Sequence, residues 1–321
     1  MKKRRLGASG LELTRIGLGS WAIGGPGWQY AWGAQDDRDS IATIHRALDL
    51  GINWIDTAAV YGLGHSEQVV GEAVAGRRER VILATKCGRA WGKDRAIVPR
   101  LKAASVRGEL EASLRRLRTD YIDLYQVHWP DPDADIEEAW TEIAKAVEEG
   151  KIRHAGVSNF SVAQMARIQA IHPIASLQPP YSMLRRGIED EVLPYCAANG
   201  IGVVVYSPMQ MGLLSGTFTK ARVISLPSDD IRSRNAFFSE PALGRNLALV
   251  EKLRPVAARA GRTVAEMAIA WVLRRPEVTA AIVGGRRPEQ VAETIGAADW
   301  DLTPEEIAEM DALVAAREAQ G

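Results

Sequence analysis

Short apolar runs rich in Val, Ile and Leu begin near Ile16, Ile52, Val81, Ile122, Ile152, Ala175, Ile201 and Ala280, and a stretch of helical periodicity follows each. The clearest helices are expected over 36–50, 99–117, 135–149, 161–171 and 288–297. Several have an Asp or Ser ahead of them or a Gly just after, at Gly51, Gly150 and Gly200. Strand and helix thus alternate through eight units without a linker. That repeat predicts a single α/β domain over 1–321, a (β/α)8 TIM barrel. A Rossmann sheet would use fewer strands and would show G-x-G-x-x-G after an early one, a spacing that the Gly-rich stretch 17–27 lacks.

Two segments fall outside the repeat. The start, Arg4-Arg5-Leu6-Gly7 with Gly10-Leu11-Glu12-Leu13, alternates around a turn and predicts a β-hairpin plugging the barrel floor, its basic residues solvated. Roughly eighty residues separate Ile201 from Ala280, far more than one βα unit needs. Within them, 210–240 carries Gly, Ser, Thr and Pro without periodicity and is expected to be an extended loop at the barrel mouth, a lid or binding loop. Helices over 252–261 and 264–274 are expected to follow.

Composition narrows the partners. Forty Lys and Arg balance forty Asp and Glu, so the basic excess of a nucleic-acid binder is missing and a small-molecule partner fits better. No apolar run approaches the roughly 18 residues that span a bilayer, and Met1-Lys2-Lys3-Arg4-Arg5 leads into no signal-type apolar core. A cytoplasmic monomer without membrane contact is expected. Cys87 and Cys196 are the only cysteines and have no metal-ligand spacing, so redox chemistry would need a borrowed cofactor and no metal is expected.

Four strand-like runs end in polar residues: Asp56 with Tyr61 just beyond, Lys86, His128, and Ser158-Asn159. A carbonyl that receives a hydride becomes an alkoxide and needs a proton donor and groups that stabilise the developing charge. Tyr61 can donate the proton, an ammonium at Lys86 favours the phenolate, Asp56 orients and neutralises Lys86, and His128 can hydrogen-bond the same oxygen. Singly, each has a plainer reading as packing, ion pair or satisfied core group. Together, at the ends of strands two, three and four, they describe an active site. The same Lys86 would equally serve a Schiff-base, class I aldolase-like lyase.

The runs Asp56-Thr57-Ala58-Ala59-Val60-Tyr61-Gly62 with Gly64-His65-Ser66-Glu67, Ala84-Thr85-Lys86, and Asp123-Leu124-Tyr125-Gln126-Val127-His128 resemble the aldo-keto reductase superfamily, and the match extends along nearly the whole chain. The resemblance implies an oxidoreductase with a catalytic set Asp56, Tyr61, Lys86 and His128, in which Lys86 lowers the pKa of Tyr61. Further motifs continue it at Gly156-Val157-Ser158-Asn159-Phe160, Gln178-Pro179-Pro180-Tyr181, and Tyr206-Ser207-Pro208-Met209 with Gly212-Leu213-Leu214-Ser215-Gly216. By that resemblance Ser158, Asn159 and Gln178 hold a nicotinamide amide and Tyr206 stacks on its ring. Ser207, Pro208, Met209, Gly212, Leu214 and Gly216 wrap the pyrophosphate, and Trp21 and Asp56 join the cofactor site. Such roles suit an amide's mixed hydrogen bonding and the close backbone approach that Gly permits.

After strand eight, Gly284-Gly285-Arg286-Arg287-Pro288-Glu289-Gln290 leads into a helix, and Arg286 offers a planar fork matched to a 2′-phosphate. NADP(H) is therefore the expected cofactor, with Gln290 and Glu293 near the adenine by resemblance. The wording departs from the family's at Ser182, where Asn is usual, and at Thr217, where Lys is frequent. The second departure removes one expected phosphate contact. Trp28, Trp32, Trp91 and Trp129 are expected to form an aromatic substrate wall, or to pack their loops onto the barrel, while His65 reads as a loop residue. A channel-associated type of relative adds a third reading, a non-catalytic nucleotide-sensing subunit.

Overall fold

The computed structural model describes residues 1–319. Eight parallel strands close into a barrel in sequence order: β1 (Ile16–Gly19), β2 (Trp54–Asp56), β3 (Ile82–Cys87), β4 (Ile122–Val127), β5 (Ile152–Ser158), β6 (Ser176–Gln178), β7 (Gly202–Val205) and β8 (Val278–Gly284), which pairs back onto β1. Each starts within two residues of an expected run, because a strand packed on both faces must be continuously apolar. Side chains from alternate positions fill two layers. Trp54, Ala84, Leu124, Val204, Ala280 and Ile282 occupy the barrel interior, and Leu6 and Leu13 of the N-terminal hairpin join them. Gly17 makes room for this packing, since a Cβ there would stand 2.0 Å from the indole of Trp54. The larger outer cluster, including Ile55, Leu83, Tyr125, Val157 and Trp271, joins the strands to the surrounding helices.

The hairpin forms as expected, Lys3–Arg5 pairing antiparallel with Glu12–Thr14. Its basic residues are not simply solvated. Arg4 is half-buried and donates to the backbone carbonyls of Leu273, Arg275 and Val278, while Lys2 pairs with Asp301. The plug is thus tied to the end of the preceding helix and to the start of β8, which a charge run in the sequence does not disclose.

Helices occupy Asp37–Asp49, Ala103–Leu117, Ile136–Glu148, Val162–Gln169 and Pro288–Thr294. Their caps explain the limits: Asp36 accepts from the amides of Arg38 and Asp39, and Ser161 forms a reciprocal capping box with Gln164. Two boundaries differ from expectation. The helix expected from residue 99 begins at Ala103, because Ile97–Pro99 pairs with Arg89–Trp91 in a small hairpin. The helix expected over 252–261 runs instead over Ala242–Arg259, with Pro255 in its interior. Segment 210–240 contains only short helical turns, such as Lys220–Ile224 and Ile231–Arg234. It reaches across the barrel mouth, where the amide of Ile231 donates to the carbonyl of Ala31 at 3.0 Å. No helix among the described residues is long and apolar enough to cross a membrane.

Candidate active site

Every barrel strand delivers a polar or small residue to the same rim. Gly19 and Asp56 are register partners at the ends of β1 and β2, as are Ser158 and Gln178 on β5 and β6. Lys86 lies near the end of β3, His128 follows β4, Tyr206 follows β7, and Gly284 ends β8. Tyr61 comes from the β2 loop, which is fixed by close approach to the β1 loop. Gly62 takes a left-handed φ of 62°, and a Cβ there would lie 2.1 Å from the carbonyl oxygen of Gly24.

At the centre, the Lys86 Nζ donates to Asp56 Oδ1 at 2.7 Å and to the Thr57 carbonyl at 2.9 Å, and lies 3.5 Å from the Tyr61 hydroxyl. Asp56 uses its other oxygen to accept from Gln178 Nε2 at 2.8 Å. The Tyr61 and His128 rings meet edge to face at 5.9 Å between centroids. Burial pushes the Tyr61 phenol well above its usual value, and the Asp56 carboxylate adds to the rise. Burial also lowers Lys86 and holds His128 well below the usual imidazole range, with the charges of Lys86 and Arg89 acting the same way on His128. The Lys86 ammonium expected to lower the Tyr61 pKa does not set its net direction, because burial and the Asp56 carboxylate outweigh a charge 3.5 Å away. The ammonium is committed to Asp56 and Thr57, so desolvation decides the direction.

Hydrogen bonds of Ser20, Ser66 and Glu67 hold this centre from behind. Ser20 Oγ donates to the Asp56 carbonyl and Ser66 Oγ to Ser20. Behind Lys86, the fully buried Glu67 accepts from Thr85 Oγ1 and from Arg116 Nε, both at 2.6 Å. Sequence reasoning met Glu67 only within a motif and missed Arg116, because their separation of 49 positions gives no local signal.

From Tyr61 and His128 a cleft of about 1430 Å³ runs along the rim to Arg286 and Gln290. Of the expected cofactor residues, Trp21, Asp56, Ser158, Asn159, Gln178, Tyr206, Ser207, Pro208, Met209, Gly212, Gly284, Gly285, Arg286, Gln290 and Glu293 line it. Leu214 and Gly216 do not. Leu214 is fully buried in the outer core, and Ser215 and Thr217 present the segment to the cleft instead. Trp28, Trp32 and Trp129 line it, whereas Trp91 lies on the small hairpin with the Arg116 guanidinium 5.7 Å from its ring. His65 begins a helix and pairs with Asp37 outside the cleft. Lys86 is buried beneath the lining, and its Nζ reaches the cleft through Asp56 and Tyr61.

The lining suits an extended ligand with an amide at one end. The Asn159 Oδ1 accepts from the Tyr206 hydroxyl at 2.9 Å and its Nδ2 donates to the His128 carbonyl, which fixes the left-handed Asn159 (φ 64°) against the rim. Gln178 Oε1 has no protein partner among the described residues and is placed to accept from an amide. At the far end, the Arg286 Nε donates to Gln35 Oε1 at 2.7 Å, and its other nitrogens donate to the Trp32 and Ala34 carbonyls. Arg222, Arg232 and Arg287 line that end too, with Asp36, Asp39 and Glu293. The sequence reading did not include Arg222 and Arg232, which stand in the 210–240 segment. Arg232 stacks 4.6 Å over Trp32 while paired with the buried Asp230.

The sequence profile of the Aldo/keto reductase family matches residues 15–315. The chain is 40% identical over 317 residues to the aldo-keto reductase YhdN of Bacillus subtilis (strain 168), covering 98% of this chain and 94% of that protein. It is 37% identical over 317 residues to the NADH-specific methylglyoxal reductase of Escherichia coli (strain K12), covering 94% and 95%. Among solved structures it superposes on the glycerol dehydrogenase AKR11B4 from Gluconobacter oxydans with a TM-score of 0.87, at 40% identity and coverage of 96% and 93%. The holo form of the aldo-keto reductase AKR11C1 from Bacillus halodurans gives 0.82, at 30% identity and coverage of 98% and 96%.

Proposed function

Because the chain belongs to the aldo/keto reductase family of oxidoreductases, which work with a nicotinamide cofactor, we propose that it is an NADP(H)-dependent reductase of aldehydes, ketones or sugars with Tyr61 as the general acid. The observation that carries this reading is the convergence of the Tyr61 hydroxyl, the His128 ring and the buried Lys86–Asp56 pair at one end of a cleft that ends at Arg286. The nicotinamide nucleotide supplies the hydride. Tyr61, kept protonated by burial, donates a proton to the carbonyl oxygen, and neutral His128 is free to hydrogen-bond that oxygen and orient it. The Lys86 Nζ stands 3.5 Å from the Tyr61 hydroxyl, and Lys86 and Asp56 neutralise each other in the low-dielectric floor. Such a reductase belongs with the cytoplasmic nucleotide pool and is complete as a monomer.

A Schiff-base lyase would need the Lys86 Nζ to reach the substrate, yet it is fully buried and pointed at Asp56 and Thr57. Choice of cofactor rests on the guanidinium end. A 2′-phosphate there would exchange neutral carbonyl acceptors on Arg286 for a charged one. Titration with NADPH and NADH, followed by quenching of tryptophan fluorescence, is expected to show tighter NADPH binding. Arg286→Ala should weaken NADPH by about tenfold or more and NADH by much less. Equal losses for the two nucleotides would remove Arg286 as the phosphate reader, and tighter NADH binding by the unaltered protein would reassign the cofactor.

The protonation states predict a pH profile. Tyr61 stays protonated past its ordinary value near 10, and His128 stays neutral below its ordinary value near 6.5. For carbonyl reduction, kcat/KM should therefore be flat from about pH 6.5 to about 10, with both limbs outside that window. A limb inside it, unchanged when Asp56 or Lys86 is altered, would count against these groups as the proton donor and the neutral orienting group.

A further inference from the structure

The substrate end of the cleft holds a cation that the hydride-transfer chemistry does not use. Arg89 lies just past the end of β3, on the small hairpin that displaced the start of the following helix. It lines the cleft together with His128, Trp129 and Asp131. Its side chain is only 19% exposed, and its charge is felt at His128, which places it near the reaction end. The guanidinium sits 5.9 Å from the centroid of the exposed Trp129 ring. Only Nη1 is occupied, donating to Asp131 Oδ2 at 3.0 Å, and the other guanidinium N–H groups have no protein partner among the described residues.

With Nη1 alone bonded and the side chain mostly covered, the guanidinium presents unused N–H donors to the cleft. Asp131 is a weak claimant: its side chain is 55% exposed, it contacts one nitrogen, and it can turn to water without leaving a buried charge. The fork geometry of Arg matches a carboxylate bidentately, with Nε and Nη2 still available. We propose that Arg89 is a specificity-determining residue that binds the carboxylate of a short oxo-acid substrate, displacing Asp131, while the carbonyl meets Tyr61 and His128. Trp129, at the rim, covers the carbon chain between the two ends. The inference rests on the reductase reading for its carbonyl end and on Arg89 alone for its anionic end.

Three aldehydes of one chain length separate the chemistries: 4-oxobutanoate, 4-hydroxybutanal and butanal. The unaltered protein with its cofactor should show kcat/KM for 4-oxobutanoate about tenfold or more above butanal. Arg89→Leu should abolish that preference mainly through KM. Arg89→Lys, a point charge without a fork, should retain part of it. Asp131→Asn removes the competing carboxylate and should sharpen the preference, a gain that a merely structural Arg89–Asp131 pair would not give. Equal turnover of butanal, or preference for 4-hydroxybutanal, would overturn the anion site, as would an Arg89→Leu variant that keeps the preference. Binding is read separately by titrating succinate against tryptophan fluorescence in the unaltered protein and in Arg89→Leu. Succinate binding that depends on Arg89, with no cofactor oxidation by any aldehyde, would sink the reductase reading and keep the anion site. Succinate affinity that is the same in both proteins would sink the anion site even if carbonyls are reduced.

Discussion

Tyr61→Phe is expected to lower kcat for carbonyl reduction by about 10²- to 10⁴-fold, the range over which a positioned general acid acts, equivalent to about 3 to 5 kcal/mol of transition-state stabilisation. The substitution removes one oxygen and leaves the ring. Its contacts with Trp21 at 6.2 Å, Trp28 at 6.1 Å and His128 at 5.9 Å remain, as does the Lys86 ammonium 5.2 Å from the centroid. Because Lys86 keeps its bonds to Asp56 and Thr57, no buried charge is stranded. Nucleotide affinity and thermal stability should therefore stay close to those of the unaltered protein, and kcat/KM should fall in parallel with kcat, as it does when an interaction exists only in the transition state. Single-turnover kinetics with saturating cofactor measures the chemical step directly. Turnover within tenfold of the unaltered protein would remove Tyr61 from the proton donor's role and leave His128 as the remaining group at the carbonyl.

The barrel was legible because a strand buried on both faces has to be apolar along its length, so eight such runs separated by helical periods leave few alternatives. Asp56, Lys86 and His128 were legible for the same reason, since a polar residue that closes an apolar run lies at the rim. The misses have a common cause. Arg89 and Arg232 belong to no motif or periodic run and went unread, and only the folded loops show that they are 19% and 9% exposed in their side chains. Trp91 follows β3 as closely as a pocket residue should, but the Arg89–Trp91 and Ile97–Pro99 pairing turns it toward Arg116. Arg286 was expected to be free for phosphate, and it is held by carbonyls some 250 positions earlier in the chain. The direction of the Tyr61 shift was illegible for a further reason: the residue types announce an ammonium beside a phenol, while the amount of water excluded from both decides which effect wins.

That balance of burial and pairing makes the largest stability effect predictable away from the reacting atoms. Glu67 is fully buried behind β3 and accepts from Thr85 and from Arg116, whose side chain is 17% exposed. Arg116→Met keeps much of the aliphatic stem but leaves the carboxylate with a hydroxyl as its only remaining side-chain partner. Stranding one member of a buried ion pair costs about 3 to 5 kcal/mol, a large share of the roughly 5 to 15 kcal/mol by which a protein is stable. Urea unfolding followed by circular dichroism should show that loss as a lower midpoint with the slope unchanged. Glu67→Gln placed on top of Arg116→Met removes the stranded charge while an amide oxygen can still accept from Thr85, so the double variant should regain a substantial part of the loss. A double variant no more stable than the single one would mean that Arg116 acts through its packing over Trp91, where its guanidinium lies 5.7 Å from the ring, and not through the charge of Glu67.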